Sequence, residues 1–148
     1  MQDNQEEKTE VEEDIIIEKK LDDKNEVIID KYHKGKLLGK GGFAECYEFT
    51  SENDGIIYAG KIIDKTKFKR KENKETNFQF FQKEKKNINN PKIVNVKSYF
   101  EDENNAYLVL EKCNNNSLNH LLSKRTKLTE IEATCYMFQL TQGLLFFT

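Results

Sequence analysis

From Tyr32 onward, apolar residues arrive in short stretches separated by turn residues, which is the rhythm of a sheet. Residues 32–38 predict one strand, residues 46–50 a return strand, and Ile56 to Ile63 a third, rich in β-branched positions. Between the last two, Glu52-Asn53-Asp54-Gly55 is a turn signal, because Asn and Gly tolerate positive φ. Ile93 to Phe100 and Ala106 to Glu111 predict two more strands joined by the acidic turn Glu101 to Asn105. The polar stretch Lys65 to Asn90 predicts one weakly amphipathic helix with Phe78, Phe80, Phe81 and Ile88 as its apolar points, ended by Pro91.

Two helices follow. Ser117 to Arg125 reads as a short one. Thr129-Glu130-Ile131-Glu132 has the form of a capping box, in which a hydroxyl and a carboxylate satisfy first-turn amides reciprocally. The helix beyond it carries Ala133, Met137, Leu140, Leu144 and Phe147 at helical spacing, a stripe of the kind that faces a core. Nothing in the residues up to Thr148 supplies a partner for it. The stripe is therefore expected to be exposed and association-prone in the isolated chain. The fold class expected is α+β: a five-stranded antiparallel sheet with one helix, followed by two helices.

Charge divides the chain unevenly. Residues 1–30 hold 12 Asp/Glu against 4 Lys, and the remainder holds 14 against 20 Lys/Arg. The acidic segment has no aromatic residue, and Ile15-Ile16-Ile17 and Val27-Ile28-Ile29 are its only apolar clusters. That composition predicts a disordered or loosely attached tail over residues 1–31. Cys46, Cys113 and Cys135 are odd in number and follow no metal spacing, so reduced thiols in the cytoplasm or nucleus are expected. The N-terminus is not a secretory signal, and no apolar run approaches the ~20 residues that span a bilayer. No membrane partner is expected. Lys65 to Lys86 is Lys-rich and carries Phe68, Phe78, Phe80 and Phe81, but a solvated helix face explains it better than nucleic-acid binding.

Candidate chemistry sits in Leu38-Gly39-Lys40-Gly41-Gly42-Phe43-Ala44-Glu45-Cys46. Backbone amides approach clustered phosphate charge closely only where side chains are absent, and Gly39, Gly41 and Gly42 meet that need. With Ala44 at the third glycine position and strands on both sides, the loop fits neither a dinucleotide fingerprint nor a Walker loop. Lys61, 22 residues after Gly39 on a neighbouring strand, places a cation under the loop. A lysine between Gly60 and Ile62 in an apolar strand is costly to bury without an anionic partner, phosphate or carboxylate.

From Tyr32 to Phe147 the chain resembles a protein kinase small lobe followed by the first two helices of the large lobe. It is most similar to the polo-like serine/threonine group, whose loop form is L-G-K-G-G-F-A-x-C. Ala59-Gly60-Lys61, Phe100-Glu101-Asp102 and Leu110-Glu111-Lys112-Cys113 match that group's A-G-K and F-E-D…L-E-L-C forms, with Lys112 in place of leucine. Ser117-Leu118 and Leu128-Thr129-Glu130 continue the match.

The resemblance implies an ATP site formed by Leu38 to Cys46, Ala59, Lys61, Leu110, Glu111 and Cys113. Leu38, Cys46 and Ala59 would cover the adenine, Leu110 would be the gatekeeper, and the backbones of Glu111 and Cys113 would bond the adenine edge. It also implies magnesium, protein substrates or docking partners, and centrosome or spindle association. Read without it, Leu38, Ala59 and Leu110 are ordinary sheet-core residues, and Cys46 and Cys113 are small buried hydrophobes.

Two parts of the kinase pattern are missing. The glutamate that should pair with Lys61 is replaced by Phe81, with Glu84 a turn later and Glu75 nearly two turns earlier. No catalytic residue and no metal ligand is present: His33 and His120 do not open an H-R-D loop, and no Asp-Phe-Gly occurs. The acids Glu101, Asp102 and Glu103 are expected to be solvated. The chain as given is expected to be inactive alone, as a truncated kinase. The alternative is a non-catalytic nucleotide- or partner-binding module, a pseudokinase-like or decayed copy.

Overall fold

The computed structural model describes residues 14–21, 24–42, 44–68 and 90–147. Its elements run β1 (Ile15–Leu21), β2 (Val27–Lys40), β3 (Ala44–Ser51), β4 (Ile57–Asp64), β5 (Val96–Glu101), β6 (Asn105–Glu111), α1 (Leu118–Arg125) and α2 (Glu130–Leu144). The strands form one antiparallel sheet in the order β1-β2-β3-β4-β6-β5. A single 3-10 turn, Lys65–Phe68, follows β4. The helix expected up to Asn90, with Phe78, Phe80, Phe81, Glu75 and Glu84, lies outside the described residues.

The sheet has six strands, not five, and the sixth corrects the expectation of a tail for residues 14–21 and 24–31; residues 1–13 and 22–23 lie outside the described residues. Ile15–Leu21 pairs with Val27–His33 residue by residue, from Ile15 opposite His33 to Leu21 opposite Val27. Composition averaged over the segment hides this, because its two isoleucine-rich clusters are complementary strands. Ile16 packs against the aromatic core, and the acids are engaged inside the pairing. Glu18 and Asp30, opposite one another, are only 2% and 5% exposed. Tyr32 donates its hydroxyl to Glu18 at 3.1 Å, and Lys20 pairs with Asp30. Buried carboxylates with partners are tolerable where bare ones are not.

Each sheet face carries its own apolar cluster. Tyr32, Phe49, Tyr58, Tyr107 and Val109 form one, with Ile16, Tyr47, Ile62 and Phe100 against it. Phe100 stacks between Tyr32 and Tyr107, with centroids 6.1 and 4.9 Å away. The other cluster is Tyr99, Ala106 and Leu108, flanked by Ile63, Val96 and Leu110. The turn before β4 is held by Gly55 at φ 67 and by Asp54. The Asp54 carboxylate accepts from the Ile56 amide at 3.0 Å, the Tyr58 hydroxyl at 2.8 Å and Lys97 at 3.0 Å. The acidic turn is solvated as expected, with Glu101, Asp102 and Glu103 all exposed, and Asp102 also shapes it by accepting from the amides of Asn104 and Asn105 and from the Tyr107 hydroxyl.

The capping box forms as its sequence implies. Thr129 accepts from the Glu132 amide at 3.3 Å, and Glu132 accepts from the Thr129 amide at 2.9 Å. That amide bond, the Arg125 guanidinium and the Thr129 hydroxyl draw the Glu132 carboxyl down to about 2 from an ordinary 4.5. A depressed carboxyl stabilises above its unfolded value, and the contribution is lost as pH falls through the folded one. The helical circular-dichroism signal of the native chain should therefore drop between pH 4.5 and 2. Glu132→Gln should start lower at pH 6 and change less across that window; superimposable curves would rule the effect out.

Along α2, Met137, Leu140 and Leu144 stand exposed, and Gly143 is the one buried position, close to Lys92. The expected stripe is thus uncovered among the described residues. No helix of the described residues is long and apolar enough to cross a membrane.

Candidate nucleotide-binding face

Register decides which side chains share a face. Gly39 lies opposite Cys46, Cys46 opposite Lys61, and Lys61 opposite Leu108. Glu48 lies opposite Ala59, and Ala59 opposite Leu110. Directly paired residues project to the same side of a sheet. One face therefore unites Gly39, Cys46, Ala59, Lys61 and Leu110, five of the expected site residues. Tyr47, Gly60 and Val109 alternate with them on the aromatic side.

The loop between β2 and β3 is closed by the Gly41 amide donating to the Ala44 carbonyl at 2.8 Å. Lys40 and Glu45 pair across its base at 2.6 Å, and the Tyr47 hydroxyl donates to Glu45 at 2.6 Å. The hydrogen bond from Lys40 to Glu45 raises the Lys40 pKa, so it stays charged beside the loop. Phe43 lies outside the described residues. The open space around the glycines is informative. A methyl at Gly39 or Gly42 would meet nothing within 4 Å, and neither residue has positive φ. Among the described residues, neither packing nor backbone conformation requires glycine there.

Gly60 is the opposite case. A Cβ on it would stand 2.3 Å from the ring of Phe49. The ring lies over this backbone, which lets the strand carrying Lys61 seat closely on the aromatic core.

Lys61 is exposed, which corrects the expectation of a costly burial. Gly60 lies on the aromatic side of the sheet and Lys61 on the opposite face. Among the described residues Lys61 has no ion-paired or hydrogen-bonded partner. Cys46 beside it is half-buried; burial pushes its thiol up, and the Lys61 charge pulls it back only in part. The thiol is neutral near pH 7. Leu38 is exposed and Ala59 and Leu110 are half-buried, so none of the three is a fully buried core residue. Leu110 flanks the smaller apolar cluster. Cys113 is exposed, not buried as a small hydrophobe would be.

Glu111 and Cys113 border a cavity of about 460 Å³ between the end of β6 and the helices, lined also by Val94, Leu118, Tyr136 and Met137. The described residues contain no group of three or more His, Cys, Asp or Glu arranged to hold a metal ion. Sequence reasoning missed Glu48, which pairs with Lys112 at 2.8 Å and with Lys36 at 3.4 Å. Its signal was present: Glu48 follows Cys46 by two positions, which puts it on the same face.

The protein kinase domain family model matches residues 32–147. A probable serine/threonine-protein kinase of Zea mays, CCRP1, is 43% identical over 130 residues, covering 87% of this chain and 21% of the relative. The serine/threonine-protein kinase plk-2 of Caenorhabditis elegans is 36% identical over 134 residues, covering 87% and 21%. The serine/threonine-protein kinase polo of Drosophila melanogaster is 37% identical over 113 residues, covering 76% and 19%. The chain spans about a fifth of the length of these curated relatives. With two of these three named as polo-type enzymes and the family model covering most of its length, the chain belongs to the protein kinase family, on its polo-like serine/threonine side.

Proposed function

We propose that this face binds ATP. The amides of Gly39 to Ala44 cradle the phosphates, and Lys61 reaches the α- and β-phosphates. Leu38, Cys46 and Ala59 cover the adenine, Leu110 lies behind it, and the backbones of Glu111 and Cys113 bond its edge. In this reading residues 32–113 are the small lobe, and residues 114–148 begin the large one. Bound ATP would supply the phosphoryl group for transfer to serine or threonine of a protein substrate, with magnesium held by residues that the described part does not provide. The working compartment is the cytoplasm or nucleus.

The observation that carries this reading is the pairing of open glycines with an uncommitted cation. Among the described residues, Gly39 and Gly42 have unfilled room around them, and Lys61 stands on the same face without a partner. A polyanion that approaches backbone amides closely satisfies both. A thermal-shift titration with ATP and magnesium tests it. The melting midpoint should climb with ligand concentration as mass action requires, by about 2.7 kcal/mol of added stability at a hundredfold excess over Kd. A midpoint unmoved up to millimolar ATP would refute nucleotide binding.

A further inference from the structure

The segment leaving β6 carries Lys112 where the polo-type form has leucine. Its ammonium lies 2.8 Å from Glu48 Oε1, and the Lys36 ammonium lies 3.4 Å from the same oxygen. The Glu48 and Lys112 side chains are only 16% and 24% exposed. The hydrogen bond from Lys112, seconded by Lys36, holds the Glu48 carboxyl below the usual carboxylate range, so Glu48 is ionised at neutral pH. Glu48 sits on β3 and Lys112 just past β6, on opposite sides of β4. The pair therefore spans β4 at Ala59, which faces Glu48 on one flank and Leu110 on the other. Two small residues make this possible. Ala59 presents only a methyl to the crossing, and a Cβ at Gly35 would already stand 3.4 Å from the Glu48 Cβ. Lys36 falls in the irregular stretch of β2 between Lys34 and Leu37.

We propose that Lys36, Glu48 and Lys112 form a strap that sets the opening of the cradle at its adenine end, making Glu48 and Lys112 positioning residues for purine binding. This rests on the nucleotide reading above. The strap ties the Glu111–Cys113 backbone to the strand that carries Cys46, so both walls of the adenine slot are held at one spacing before the ligand arrives. Preorganisation of this kind raises affinity by removing ordering cost, not by adding a contact. Because the strap acts on the purine end, it affects ligands with and without phosphates alike.

The test is calorimetric titration of the full chain and its Lys112→Leu, Glu48→Gln, double and Lys112→Arg variants with adenosine and with ATP, alongside their thermal melts. Each single variant should weaken both ligands by the same factor, about fivefold, and the double should lose little more than either single. Lys112→Arg, which keeps the charge, should bind as the native chain does. Native-like binding by both single variants, or a loss confined to ATP, would overturn the strap while leaving the nucleotide reading intact. A native chain that binds neither ligand would overturn that reading and the strap with it.

Discussion

Gly60→Ala should lower the melting midpoint by several degrees or more, a large effect for one added methyl. The new Cβ would stand 2.3 Å from the Phe49 ring, far inside van der Waals contact. Phe49 is fully buried between Tyr32 and Tyr58 in the main cluster, so its ring has no free space to move into. Overpacking of this kind costs about 1–3 kcal/mol, and more where neighbours cannot give. The backbone at Gly60 has ordinary φ, so strain from alanine itself adds nothing. A second variant isolates the steric cause: Phe49→Leu should be destabilising alone but should recover part of the loss when combined with Gly60→Ala. A Gly60→Ala melt within a degree of the native one would contradict the close packing.

The same glycine marks how far the sequence alone could be read. β2 from Tyr32 onward and the strands from β3 to β6 were legible because apolar runs and turn residues are local signals, whereas Val27 to Lys31 fall in the segment whose composition predicts a tail. The capping box at Thr129 and Glu132 was legible for the same reason, since its partners are three residues apart. β1 was not, because its stability comes from pairing with β2 and from the Glu18–Tyr32 and Lys20–Asp30 partnerships, none of which composition reveals. The burial of Lys61 was misjudged for a related reason. An apolar strand seen in isolation does not say which of its two faces is covered, and here the aromatic cluster covers the Gly60 side. Glu48 and Lys112 were unpaired in the sequence because only sheet order brings β3 and the end of β6 within reach.

Lys61→Met should remove most of the ATP affinity while leaving the fold unchanged. Lys61 is exposed and has no ion pair among the described residues, so its loss opens no cavity and strips none of those residues of a partner. Its contribution is to a ligand. A hydrogen bond to a charged group is worth about 1.5–3 kcal/mol, which corresponds to roughly ten- to a hundredfold in affinity. Because the cation serves the phosphates and not the base, adenosine binding should be untouched. Side-by-side calorimetry of the native chain and Lys61→Met, each titrated with ATP and with adenosine, is the most direct test of the nucleotide-binding face. The expected result is saturable ATP binding by the native chain, at least tenfold weaker ATP binding by the variant, and equal adenosine binding by both. Undiminished ATP affinity in a folded Lys61→Met chain would contradict it.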